Sequence, residues 1–180
     1  MVFLNTREEL LDFIKEKKIV CEIGVFKGEF SKILLEKLKP DELHLIDIFD
    51  GEMCSGDKNG DNIVWTNLDK EYSLLTETYK NNKNVLLHKG YSEKILNNFI
   101  DQYFDLIYID GDHSYEGIKK DLEISYSKIK NNGFICGHDY VSPRFEGVVK
   151  AVNEFCEEKK LKIDYLTKDG CPTFCIVKKH

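Results

Sequence analysis

Apolar positions in this chain follow two alternating rhythms. Short apolar runs, Ile19 to Ile23, Leu43 to Ile48, Val85 to His88, Leu106 to Ile109 and Phe134 to Gly137, read as buried strands. Between them, apolar residues recur at helical spacing. Leu10, Leu11, Phe13 and Ile14 form the face of a first helix, with Thr6 as its cap and Glu9 at the capping-box position. Phe30, Ile33, Leu34 and Leu38 mark a second helix, which Pro40 ends. A third runs from about Trp65 to Tyr79, and a short one surrounds Ile95. Tyr115, Ile118, Leu122, Tyr126 and Ile129 mark a long amphipathic helix. Phe145, Val148, Val149, Val152 and Phe155 mark the last. Lys162 to Leu166 and Thr173 to Val177 read as an antiparallel closing pair. The polar stretch from Asp50 to Asn62 is too long for a tight turn and reads as a lid. Trp65, the single tryptophan, either packs within its helix or closes with that lid.

Strands alternating with helices predict one α/β domain over residues 1–180. The expected architecture is a Rossmann-like three-layer sandwich, its mostly parallel seven-stranded sheet ending in the C-terminal antiparallel pair. No repeat, low-complexity tract or linker divides the chain. Ligands of such sheets bind beyond the carboxyl ends of the strands, where strand order reverses. The polar residues of this chain cluster at those positions.

Composition narrows the function. Hydrophobic residues make up 42% and charged residues 32%, which is ordinary for a globular domain. The net charge is −6, and the only arginines are Arg7 and Arg144, so a nucleic-acid partner is not expected. No apolar run approaches the length needed to cross a bilayer, and the first residues lack the pattern of a signal peptide. A cytoplasmic protein without membrane contact is the expectation. Cys21 and Cys136 fall in apolar runs, Cys54 and Cys156 stand alone, and Cys171 and Cys175 lack the partners of a zinc site. All six cysteines are expected as free thiols.

Candidate chemistry begins after the first buried strand, with Glu22-Ile23-Gly24-Val25-Phe26-Lys27-Gly28. An acid followed by G-x-x-x-G at a strand-to-helix turn allows close approach of a ligand. It is not the G-x-G-x-x-G of dinucleotide enzymes. A carboxylate at that mouth suits a cationic ligand, and S-adenosylmethionine carries an ammonium and a sulfonium. Asp47 ends the next strand, about 20 residues on, where an acid binds ribose hydroxyls; Asp50 competes for that role. Tyr91 and Ser92 follow the third strand, where Ser92 either meets an adenine or caps the next helix. Asp110 and Asp112 flank a glycine after the fourth strand, and His138 and Asp139 follow the fifth. Adjacent parallel strands would bring these groups to one edge, where they can bind a metal or move a proton.

The chain resembles class I methyltransferases, and more narrowly the small family that includes macrolide-sugar and rhamnosyl O-methyltransferases. The likeness rests on Tyr108-Ile109-Asp110-Gly111-Asp112-His113-Ser114-Tyr115-Glu116-Gly117, on Gly133-Phe134-Ile135-Cys136-Gly137-His138-Asp139-Tyr140 and on Gly147-Val148-Val149-Lys150-Ala151-Val152. It implies that Glu22, Gly24, Phe26 and Gly28 line the methionine end of S-adenosylmethionine, that Asp47 holds the ribose and that Ser92 lies near the adenine. It also implies a divalent metal, Mg²⁺ or Mn²⁺, on Asp110, His138 and Asp139, with Asp110 touching the cofactor as well. Relatives more often carry an acid where this chain has His138.

The expected activity is O-methylation of a sugar, glycan or other small-molecule hydroxyl. His113 is the first candidate for general base and His138 the second. His113 otherwise serves as a helix-start residue bonded to backbone, and Asp112 as a helix cap. Tyr115 is expected in the core, Glu116 in a first helical turn, and Tyr140 and Arg144 either facing the acceptor or holding a helix start. The alternatives are an NAD-dependent Rossmann oxidoreductase and a non-catalytic cofactor-binding protein. The first helix and the C-terminal strands offer surface for a homodimer.

Overall fold

A computed structural model of the chain describes residues 1–14, 17–55, 64–141 and 143–179. The strands and helices are β1 Val2–Leu4, α1 Arg7–Phe13, β2 Ile19–Ile23, α2 Glu29–Leu38, β3 Glu42–Asp47, β4 Glu52–Ser55, β5 Val64–Asn67, α3 Leu68–Tyr79, β6 Val85–Lys89, α4 Ser92–Leu96, β7 Phe104–Ile109, α5 Tyr115–Lys128, β8 Ile129–Gly137, α6 Glu146–Glu158, β9 Tyr165–Thr167 and β10 Phe174–Val177. The main sheet has eight strands in the order β1-β9-β10-β8-β7-β2-β3-β6. All its pairings are parallel except those of β10 with β8 and β9. From β2 the chain winds outward through β3 to β6, then returns to β7 on the other side of β2. Strand order therefore reverses between β2 and β7, which places a ligand crevice at their carboxyl ends.

Each strand alternates between two cores, as its two-residue side-chain period requires. On β2, Cys21 and Ile23 face the core under α4, α5 and α6, where Ile118, Leu122, Val148 and Val152 are buried. Val20 faces the opposite core, under α1, α2 and α3, with Leu10, Leu11, Leu34 and Leu75. Glu22 shares that second face by the same alternation, so its carboxyl meets α2.

The sheet gains a strand over the expected seven: Val2–Leu4 pairs in parallel with β9. The expected helix from Trp65 begins instead at Leu68, because the Asn67 side chain accepts from Lys70 N at 2.8 Å and caps it there. Trp65 lies on β5, is 64% exposed and does not pack within a helix. Part of the expected lid is an antiparallel pair, β4 with β5. Residues 56–63 lie outside the described residues. Thr6 caps α1, accepting from Glu9 N at 3.2 Å, while the Glu9 carboxylate accepts from Asn5 N at 2.6 Å. The capping box thus closes one residue earlier than its usual form. Phe13, expected on the apolar face, is exposed.

A histidine pair lies away from the crevice. His44 on β3 is buried; its Nδ1 sits 3.0 Å from His88 Nε2, and its Nε2 sits 3.0 Å from Glu42 Oε2. The two facing nitrogens share one proton at most. Burial pushes both imidazoles below the ordinary histidine value, and for His88 the charge of His44 adds to it. The unfolded chain, whose histidines titrate near 6.5, therefore takes up protons that the fold resists. Stability from this pair is present above about pH 6.5 and lost as pH falls through it. A melting scan from pH 7.5 to 5.5 should fall by a few degrees in the native protein and less in His88→Gln. Equal slopes in both would contradict this.

Candidate active site

The crevice between β2 and β7 opens into a cavity of about 700 Å³, the size of a small-molecule site. Its glycine loop is held by the strands beneath it. Gly24 has φ +85°, and a Cβ there would stand 2.1 Å from the Asp110 carbonyl oxygen. Gly24 N donates to Ile46 O at 2.9 Å, and Asp110 N donates to Ile23 O at 2.7 Å. These bonds press the ends of β2, β3 and β7 together. Phe26, at φ 53°, and Gly28, the left-handed residue before α2, complete the turn. Asp47 fastens it: Oδ2 accepts from Val25 N at 2.8 Å and Phe26 N at 2.9 Å, and Oδ1 accepts from Phe49 N at 3.0 Å. Asp47 and its competitor Asp50 both line the cavity.

Glu22 lies at the floor, 1% exposed, where its carboxylate oxygen accepts a short hydrogen bond from Ser31 Oγ of α2. Burial, with the Asp110 and Asp47 charges added, pushes its carboxyl up to about 8 against the pull of Ser31 and Arg7. The group therefore holds a proton at neutral pH, and an arriving cation would favour its ionised form.

Ser92 donates from Oγ to Asp121 Oδ1 at 2.5 Å, and both line the cavity. The residue before it, Tyr91, holds the cap position of α4. Asp121 is a site residue that sequence reasoning missed. It is 5% exposed, and burial pushes its carboxyl up to about 6. The signal was present: Asp121 falls between Ile118 and Leu122 on the buried face of α5, where a carboxylate needs a partner.

Beyond Asp110 the cavity meets a cluster of acids and imidazoles. His113 Nε2 lies 2.7 Å from Asp139 Oδ2 and 3.4 Å from Asp110 Oδ1. His138 Nδ1 lies 3.3 Å and 3.6 Å from the same two oxygens. Burial opposes ionisation of Asp139, but the two imidazoles hold its carboxyl well below the usual carboxylate range. Asp110 and Asp139 together push His113 up to about 9. Between these acids His113 favours the protonated form, which is no ready base; as a metal ligand it would be neutral. Its buried Nε2 lacks an acceptor in hydrogen-bond alignment despite the short contact. Asp110, His113 and Asp139 offer ligand atoms within 4.8 Å of one another, a donor set that fits a divalent ion. The expected trio had His138 in place of His113; His138 Nδ1 stands within 3.6 Å of the same two oxygens, so both imidazoles reach the acids. Cys171, between β9 and β10, is near enough to Asp139 to help hold its carboxyl low.

Other expected residues lie elsewhere. Ser114, not Asp112, caps α5, accepting from Gly117 N at 3.1 Å; Asp112 accepts from Ser114 N at 2.9 Å. Tyr115, expected in the core, is half-buried and packs against it, with its hydroxyl donating to Glu154 at 2.5 Å. Tyr140 donates to Asn153 at 2.8 Å, and the Arg144 guanidinium packs over Phe145 at 5.0 Å. Tyr140 and Arg144 are outside the cavity lining, whereas Glu116 belongs to it. Among the described residues, Cys21, Cys136, Cys156, Cys171 and Cys175 are free thiols, and no helix is long and apolar enough to cross a membrane.

Comparison with known proteins agrees with this geometry. A Staphylococcus aureus protein described as a caffeoyl-CoA O-methyltransferase superposes with a TM-score of 0.66 at 17% identity, covering 94% of this chain and 80% of that one. A Bacillus cereus O-methyltransferase solved with S-adenosylhomocysteine gives 0.66 at 16% identity, over 95% and 78%. An N-methyltransferase from Bradyrhizobium japonicum gives 0.64 at 15% identity, over 97% and 95%. These likenesses show a shared fold. An uncharacterized protein of Acanthamoeba polyphaga mimivirus is 26% identical over 145 residues, which cover 79% of this chain and 61% of that protein. Residues 21–140 match the family described as a methyltransferase domain, a span that runs from β2 and its glycine loop to the residues after Asp139, and the chain belongs to that family.

Proposed function

We propose that this protein is an S-adenosylmethionine-dependent O-methyltransferase acting on a hydroxyl of a sugar, glycan or other small molecule, with a divalent metal at its rim. One observation carries the reading. Asp110 and His113 line the cavity and also belong to the acid–imidazole cluster, so a cofactor and an activated acceptor would meet there. Methyltransferases of other acceptor atoms share the fold, as the Bradyrhizobium relative illustrates. The cluster favours oxygen, because a hydroxyl needs help to lose its proton before it attacks a methyl group.

In this reading Glu22 and the Gly24 loop hold the methionine end, Asp47 or Asp50 the ribose, and Ser92 the adenine. Asp110, His113 and Asp139 would hold Mg²⁺ or Mn²⁺, which supplies a Lewis acid that lowers the pKa of the acceptor hydroxyl. His113 would serve as the neutral imidazole, its proton displaced by the cation. The base role then falls to His138, whose Nδ1 lies 3.3 Å from Asp139 Oδ2. The oxidoreductase reading is not favoured, since the loop lacks G-x-G-x-x-G.

The test is S-adenosylhomocysteine formation across a panel of sugar and phenolic acceptors. Acceptor-dependent product that a chelator abolishes and Mg²⁺ or Mn²⁺ restores is expected. Product that is indifferent to chelation would remove the metal, and methyl transfer to amines alone would remove the oxygen assignment.

A further inference from the structure

The outer side of the rim carries a cation that the proposed chemistry has not used. Arg144 lies in the turn between β8 and α6, shortly after Asp139, and is exposed. Backbone bonds pin this segment: Phe145 N donates to Val141 O at 2.9 Å, and Tyr140 N donates to Pro172 O at 2.9 Å. The Arg144 guanidinium carbon stands 5.0 Å from the centroid of the Phe145 ring. Phe145 packs on the core and against the His113 ring, with centroids 5.1 Å apart. A single aromatic ring thus separates the guanidinium from the acid–imidazole cluster. The Arg144 charge also reaches Cys171, beside Asp139. Arg7 pairs with Glu8 and Lys150 with Glu154, but among the described residues no carboxylate lies at salt-bridge distance from Arg144. Asp169, which also acts on Cys171, has its two oxygens engaged by Thr167 Oγ1 at 2.6 Å and by Arg7 N at 3.3 Å.

Loops beyond the carboxyl ends of adjacent strands border one ligand crevice. The cavity takes the β2, β3 and β7 side of it, and the β8–α6 turn borders the other side, from which an acceptor would approach Asp139. A guanidinium held on a ring, its donors unclaimed by an acid, is matched to a carboxylate or phosphate, which it binds through two parallel hydrogen bonds. We infer that the acceptor is anionic, and that Arg144 holds its carboxylate or phosphate about one ring's width from the hydroxyl that reacts. This assignment rests on the methyl-transfer reading above and narrows its acceptor class. In the transfer, the acceptor oxygen bonds to the methyl carbon, the carbon–sulfur bond breaks with its electron pair left on sulfur, and the hydroxyl proton passes to His138. Arg144 takes no part in that exchange; it selects and positions the acceptor.

Initial rates with matched acceptors test it: D-glucuronate and D-glucose 1-phosphate beside D-glucose, and 3,4-dihydroxybenzoate beside catechol. At least one anionic acceptor should have a KM about 10-fold or more below that of its neutral counterpart, the scale of a charge-assisted hydrogen bond. A response to glucuronate or the benzoate assigns a carboxylate, and a response to glucose 1-phosphate assigns a phosphate. Arg144→Gln should raise that KM about 10-fold while kcat stays within about threefold, and Arg144→Lys should recover part of the loss. An anion preference that survives in Arg144→Gln would place the anion on the rim metal and overturn the inference. Equal losses on charged and neutral acceptors would assign Arg144 to packing on Phe145 and overturn it too, as would the lack of any preference in every pair. Product from neutral acceptors alone would overturn it while leaving the methyl-transfer reading intact. Failure to bind S-adenosylhomocysteine in calorimetry would overturn that reading itself, a separate result.

Discussion

Gly24→Ala is expected to abolish cofactor binding and to cost about 3 kcal/mol or more of stability. Two constraints coincide at this residue. Its φ of +85° disfavours any side chain, and the added Cβ would fall 2.1 Å from Asp110 O and 2.4 Å from Asp110 C. Neither atom can yield easily, because backbone bonds join Gly24 to β3 and Asp110 to β2. The contact also sets the spacing between the glycine loop and Asp110, so relief of the clash widens the cavity where the cofactor would lie. Urea unfolding and titration with S-adenosylhomocysteine measure the two effects. Gly111→Ala is the control: its Cβ would meet Ile23 Cγ2 at an ordinary 3.5 Å, and a small stability change is expected. Native-like unfolding and binding in Gly24→Ala would refute this account of the loop.

Asp139→Asn has the second large effect, and it should fall on the rim alone. The residue is 5% exposed, adopts φ 60° and places Oδ2 against both His113 and His138. Asparagine keeps the shape and removes the charge that both imidazoles share. Loss of even an outer partner weakens a metal site by about 10- to 100-fold, and loss of a ligand should exceed that. Mn²⁺ binding, followed by electron paramagnetic resonance, should weaken by more than about 100-fold, and turnover should fall with it. Affinity for S-adenosylhomocysteine should stay near the native value, because Asp139 is not part of the cavity lining. Native Mn²⁺ affinity in the variant would exclude Asp139 as a ligand.

Much of this architecture was legible in the chain because parallel strands buried on both faces write themselves as uninterrupted apolar runs. The run Ile19 to Ile23 coincides with β2 for that reason. What escaped depends on distant partners. Val2–Leu4 buries only Leu4 and becomes a strand through pairing with β9, far along the chain. Trp65 follows the helical spacing of its neighbours, but the Asn67 cap and the pairing with β4 set it on a strand.

The site divides in the same way. Glu22, Gly24, Asp47, Ser92 and Asp110 were legible because each follows or ends a strand at the crevice, and all of them line the cavity. Sequence spacing brought His113 and His138 to the same edge but could not say how closely each ring approaches the two acids. That depends on the left-handed turn at Asp139 and on packing of the His113 ring against Phe145, with centroids 5.1 Å apart. Arg7 drew notice only as a rare residue; its reach into the cavity follows from α1 docking beside α2 and Phe30.

Isothermal titration of the native protein with S-adenosylhomocysteine, run beside NAD⁺, bears most directly on the crevice as a methyl-donor site. Saturable binding of one molecule per chain, with no heat from NAD⁺, is the predicted result. A flat S-adenosylhomocysteine isotherm at millimolar ligand, with or without Mn²⁺, would contradict it.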